Sequence, residues 1–304
     1  MLSLFNRRKY MKISSITWVL ITISLVLCLT LPARAIIVET NDVAEIRQDF
    51  IKFFEDYYTK DILVVVGIKN VILKNLALPT KPSIPKSDYP QILAALNKNN
   101  LFNSNNFDEL LFINYKNVLT SPHLLDFFKE LKTNGVKTIA SSKGLTGNFN
   151  EIKKLEIWRA DYLKKMNIDF SYSFIKNNYI IFNNLEPNFN TYPIFYNGIL
   201  NTNNLSESEL VINFIAQIYP RLELPKLLIM IHENLDVLKS LEVIVKSYSD
   251  NILVIGYHYN APDPVELERL TTKDIIKLLN ELGSKVSKVK RNNPVITNRQ
   301  SKKL

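Results

Sequence analysis

The chain alternates two kinds of apolar pattern. Residues 62–66 (ILVVV), 227–231 (LLIMI) and 252–256 (ILVIG) are short, continuous and rich in β-branched side chains, the pattern of strands buried on both faces. Residues 136–140 (VKTIA) add another apolar strand, which runs into Ser141 and Ser142. Around these, residues 43–58, 122–133, 152–166, 205–219, 235–248 and 271–282 predict helices, several of them plainly amphipathic. In the first, Ile46, Phe50, Phe53, Phe54 and Tyr57 share one side, and Gly135 is placed to end the second. Residues 170–175 and 179–182, joined by Asn177-Asn178, predict a β-hairpin, because asparagine tolerates the positive φ of a tight turn.

Buried strands alternating with amphipathic helices predict an α/β fold with a mostly parallel, Rossmann-like sheet and helices on both faces. Pro79, Pro82 and Pro85 interrupt regular structure, and residues 89–115 read as mostly helical with Asn-rich turns. Residues 74–118 are therefore expected to form a small helical cap insert. It divides a core made of residues 36–73 and 119–284, and residues 285–304 remain as a tail. In such a sheet a ligand sits beyond the carboxyl ends of the strands. Those ends hold Gly67-Ile68-Lys69, Ser141-Ser142, His232-Glu233 and Gly256-Tyr257-His258.

Charge changes the picture only at the two ends. Of the 38 lysines and arginines, five lie in residues 1–35 and seven in 285–304, so the remaining 26 stand against all 29 acids. The body is mildly acidic, which argues against a nucleic-acid-binding protein. The basic tail reads as a solvated end, with weak contact to a membrane surface as its functional alternative. Residues 1–35 read as a signal peptide: Arg7, Arg8, Lys9 and Lys12 precede an apolar run over residues 16–31, and Ala33 and Ala35 fit a peptidase site. An exported, periplasmic or secreted protein is expected. The alternative is an inner-membrane anchor at residues 16–31, close to the roughly 17 residues a short span needs. Cys28 is the only cysteine and lies in this segment, so a cleaved chain would have neither disulfide nor thiol nucleophile.

The strand ends carry a resemblance. LVVVGIKNVIL (63–73) resembles the first motif of the haloacid dehalogenase superfamily, an apolar strand followed by Asp-x-Asp. VKTIASS resembles its second motif and PKLLIMIHE its fourth, a strand followed by two acids. WRADYLKKMNIDFSYSF, PIFYNGIL and ILVIGYHYNAP resemble an uncharacterised bacterial family of that superfamily, and together these strings cover most of residues 43–265. The resemblance implies a phosphoryl-transfer scaffold in which the first Asp attacks phosphorus, the second acts as acid and base, a Lys steadies the phosphate, and the fourth-motif acids hold Mg²⁺. Here those positions read Gly67, Lys69, Glu207, His232 and Glu233, and only Ser142 keeps its expected type.

Glycine has no side chain with which to attack, and one glutamate cannot supply a Mg²⁺ cage. The expectation is an inactive relative, a pseudoenzyme without Mg²⁺ or other cofactor, kept for binding or interaction. Lys69 would place a charge where the metal once sat and, with Ser142, hold an anion. The plain readings are a turn at Gly67, a solvated Lys69, a helix cap at Ser142 and a capping role for His123 ahead of its helix. The rival expectation is a phosphoesterase with a non-standard site built from His232, Glu233 and His258. No Gly-x-Ser-x-Gly elbow or glycine-rich phosphate loop is present, and the chain has only seven glycines.

Overall fold

The computed structural model describes residues 36–76, 86–99, 106–263 and 271–289. Its centre is an eight-stranded sheet. In chain order the strands are β1 (Ile36–Thr40), β2 (Ile62–Gly67), β5 (Lys137–Ser142), β6 (Tyr179–Ile181), β7 (Ile194–Tyr196), β8 (Ile199–Asn201), β9 (Leu227–His232) and β10 (Leu253–Tyr259). Their spatial order is β1-β10-β9-β2-β5-β8-β7-β6. The first six run parallel, while β8-β7-β6 is an antiparallel meander at one edge. The α/β expectation holds, and β1 adds an edge strand that its short, half-exposed sequence did not announce.

Strand parity divides the core. On β2, Ile62, Val64 and Val66 face a cluster built from α1 (Val43–Asp56) and α4 (His123–Thr133), with Phe50 and Phe127 edge-to-face at 5.1 Å. Leu63 and Val65 face the opposite cluster, built from α6 (Glu207–Ile218) and α7 (Leu235–Tyr248). Each central strand is thus apolar on both sides because each side meets a helix layer. Asp42, Ser206 and Asn234 cap α1, α6 and α7 with side-chain oxygens on backbone N–H groups.

The segment between β2 and α4 is stemmed by a two-stranded ladder, β3 (Leu73–Asn75) with β4 (Asn117–Leu119), and carries α2 (Tyr89–Lys98) and α3 (Phe107–Asn114). The last helix among the described residues, α8 (Thr272–Val286), packs mainly against α2 and α3 of the insert. Ile275, Leu279 and Leu282 join Ala95, Leu110 and Leu111 in a third cluster that also takes in Leu145, Phe149 and Leu155, from the loop after β5 and the start of α5 (Leu155–Lys165). At the crossing, a Cβ on Gly283 would overlap the Asn99 side chain. The insert is therefore completed by a helix from the far end of the chain.

The expected hairpin around Asn177-Asn178 is corrected. Residues Ser171–Asn177 form two 3₁₀ turns separated by a kink at Phe174, Asn178 keeps a negative φ, and β6 pairs with β7 instead. The tight hairpin is β7–β8, turning through Asn197 (φ 46°) and Gly198 (φ 84°). Positive φ at both central residues is what an Asn-Gly turn supplies. Glycine is also required by space, since a Cβ on Gly198 would stand 2.5 Å from the Phe170 backbone. His123 is the first residue of α4 rather than its cap: its own N–H donates to Ser121 Oγ at 3.3 Å.

Candidate functional site

Parity and register bring three strand ends together. Gly67 continues the Leu63/Val65 face of β2, Ser141 the Ile139 face of β5, and His232 the Leu228/Met230 face of β9, all toward α6 and α7. Gly67 is level with Ser141, and Val66 is level with Ile231. Glu207 opens α6 on that same face. The result is a buried chain of polar contacts: Ser141 Oγ donates to Glu207 Oε1 at 2.9 Å, and Glu207 Oε2 lies 2.9 Å from His232 Nε2. The Asn234 N–H donates to His232 Nδ1 at 3.0 Å, and Glu233 Oε2 lies 3.4 Å from the same nitrogen. With Nδ1 accepting, the neutral ring carries its proton on Nε2 and donates it to Glu207.

The environment shifts these groups apart. Burial alone would raise Glu207, but the hydrogen bond and charge of His232, the Ser141 hydroxyl and the Lys143 charge outweigh it and hold the carboxyl below its usual range. Burial alone would lower His232, yet the bond to Glu207 and the charges of Glu207 and Glu233 hold it above its usual value. Glu233 is raised, first by burial and then by the charge of Glu207.

Above this network lies an open cleft of about 480 Å³, lined by Ser142, Lys143, Ser206, Asn234, Lys69 and Asp108 among others. The expected anion pair, Lys69 and Ser142, both line it. Ser142 Oγ accepts the Gly144 N–H at 3.1 Å rather than capping a helix. Lys69 Nζ lies 2.9 Å from Asp108 at the start of α3, so the insert supplies an acid to the cleft mouth. His258 is level with His232 on the neighbouring strand, as expected, but its ring is spent elsewhere: its Nε2 is 3.1 Å from the Glu233 carbonyl and its Nδ1 is 3.6 Å from Glu39.

Mg²⁺ asks for several free oxygen ligands, and the donors here do not fit it. Gly67 offers no side chain, Glu207 is committed to Ser141 and His232, and both His232 nitrogens are engaged. Among the described residues no group of three or more His, Cys, Asp or Glu could hold a metal. No helix among them is long and apolar enough to cross a membrane, and residues 1–35 and the tail beyond 289 lie outside the described residues.

Asp108, Lys143 and Asn234 were not singled out by the sequence, and Ser141 was named only as a strand end without a role. For Ser141 the signal was available: alternation along β5 puts Ile139 and Ser141 on one face and Ala140 and Ser142 on the other, so Glu207 meets Ser141. Asp108 lies 39 residues from Lys69 in the chain, and nothing local announces the pairing.

An uncharacterised protein of Rickettsia conorii is 42% identical over 287 residues, covering 91% of this chain and 94% of its own length. Uncharacterised proteins of Rickettsia felis (42% over 271 residues, 86% of this chain and 88% of its own) and Rickettsia bellii (39% over 283 residues, 91% and 94%) are similarly close. No solved structure matches the chain. A family model matches residues 39–280, and the chain belongs to that family, described as "Protein of unknown function (DUF2608)".

Proposed function

We propose that the chain is an exported haloacid-dehalogenase-like protein without phosphoryl-transfer activity, whose strand-end cleft serves binding or interaction. One observation carries the loss of catalysis. A Cβ built on Gly67 would stand 3.0 Å from His232 Cδ2 and 3.3 Å from Val71 Cγ2. The imidazole, held through both nitrogens, crowds even the first side-chain atom that an attacking carboxylate at residue 67 would need. Restoring a side chain there would require His232 to move as well as Gly67 to change. Glu207 stands where the superfamily carries its phosphate-steadying lysine, so the sign of that charge is reversed.

In this reading Lys69 and Ser142 hold an anionic group at the cleft mouth, and Asp108 competes for Lys69. Export is supported by the signal-like composition of residues 1–35. Amino-terminal sequencing of protein recovered from cell fractions tests that step. The central claim is tested with purified protein, p-nitrophenyl phosphate and Mg²⁺. No turnover above the blank is expected; turnover that disappears in Ser142→Ala overturns the reading. Loss of key members of such a site costs several orders of magnitude in rate, so the two outcomes are well separated.

A further inference from the structure

The buried histidine has two possible partners for one nitrogen, and only its protonation decides between them. In the structure Nδ1 accepts the Asn234 N–H at 3.0 Å, which requires a free lone pair, while Glu233 Oε2 waits 3.4 Å away. Nε2 faces Glu207 in either state. A proton added to Nδ1 would oppose the Asn234 N–H hydrogen and turn the nitrogen into a donor, for which the Glu233 carboxylate is the available acceptor. We propose that protonation of His232 exchanges its Nδ1 partner, from the Asn234 amide to the Glu233 carboxylate, and so repositions residues 233–234, which line the cleft.

The surrounding charges favour such an exchange. Glu207 from α6 lies on one side of the ring and Glu233 on the other, so the imidazolium would sit between two carboxylates. Lys69 and Lys143 reach the cleft from the loops after β2 and β5, Asp236 from the first turn of α7 and Asp108 from the insert. His258, from β10, engages the Glu233 carbonyl rather than its carboxylate. A static structural role would keep Nδ1 on Asn234 at all pH values; the second carboxylate within reach is what such a role does not need. The inference rests on side-chain geometry and holds whether or not the cleft binds an anion.

The test is an NMR titration of the full chain from about pH 4 to about pH 9, following the His232 ring and the Asn234 amide. The two are expected to share one midpoint, with the Asn234 amide losing its hydrogen bond as the ring gains its proton. Glu233→Gln is expected to lower that midpoint by about one unit, the effect of removing a nearby opposite charge. An Asn234 amide that ignores the ring, a ring that does not titrate, or a midpoint unchanged in Glu233→Gln would each overturn the proposal. Glu233 is partly exposed, so its variant keeps the test informative even where a His232 variant fails to fold.

Discussion

Two buried ion pairs lie near the cleft and behave in opposite ways. Arg159 donates to Glu109 Oε1 at 2.6 Å and to the Asn201 side chain, and Glu109 also takes the Leu145 N–H at 3.0 Å. Its side chains are 1% and 5% exposed, and it joins α3 of the insert to α5 and the sheet. The Glu207–His232 pair is almost as deeply buried, at 8% and 4%. A guanidinium stays charged at any working pH, so the first pair is a fixed fastening. An imidazole titrates in the physiological range, so the second responds to its surroundings. The molecule thus carries both a permanent joint, which fastens the insert, and a titratable one, which underlies the cleft.

Breaking the fixed joint gives the largest expected effect. Arg159→Leu would leave Glu109 buried without its cation, a situation that costs about 3–5 kcal/mol. Urea denaturation should show that loss, and the double variant Arg159→Leu/Glu109→Leu should regain part of it. A double variant no better than the single one would show that the charge pair is not what fastens the insert.

The titratable joint predicts a pH profile. His232 is held above its ordinary value of 6.5, so its contribution is complete below about that pH and is lost as pH rises through the folded value. Glu207 is held below 4.5, so its contribution is complete above about that pH and is lost as pH falls through the folded value. The pair is therefore fully effective between about 4.5 and 6.5. Glu233, raised by burial, adds a cost as pH rises and moves the optimum toward the acid side of that window. Thermal unfolding across pH should show both flanks, and Glu207→Gln should flatten them. An unchanged profile in that variant would remove the pair as their cause.

A smaller effect is expected at the vacant strand end. Gly67→Ala would press a methyl against His232 Cδ2 at 3.0 Å. Because the ring is tied to Glu207 and Asn234 it yields poorly, and the cost should be about 1–2 kcal/mol by urea denaturation. A neutral result would mean that the ring moves easily and that space alone does not keep Gly67 bare.

How much of this was legible depends on the range of the interactions. The buried strands at 62–66 and 227–231 announced themselves because both faces meet helices, so no polar residue interrupts them. The helix register of α1 and α4 was equally plain. Gly67, Ser142, Glu207, His232 and Glu233 were picked out in advance, and all line or underlie one cleft. That Glu207 meets Ser141 follows from strand parity along β5 once the helix is placed on that face. The β7–β8 hairpin was overlooked in favour of Asn177-Asn178, although Asn197-Gly198 is the stronger turn signal. Arg159 and Lys69 find their acids on α3 through the fold alone, and no local pattern could reveal that.

The smallest effect separates a contact from its energy. Lys69 and Asp108 lie 2.9 Å apart and span the cleft mouth, yet their side chains are 62% and 59% exposed. Water solvates both charges in either arrangement, and two long side chains lose freedom to meet, so such pairs contribute within about 0.5 kcal/mol. Lys69→Ala should leave the denaturation midpoint almost unchanged, in contrast to Arg159→Leu. Lys69 and Asp108 therefore remain free to part when something else enters the cleft, whereas Arg159 and Glu109 do not. A large loss of stability in Lys69→Ala would reverse that assignment: the mouth of the cleft would then be fastened as firmly as the insert behind it.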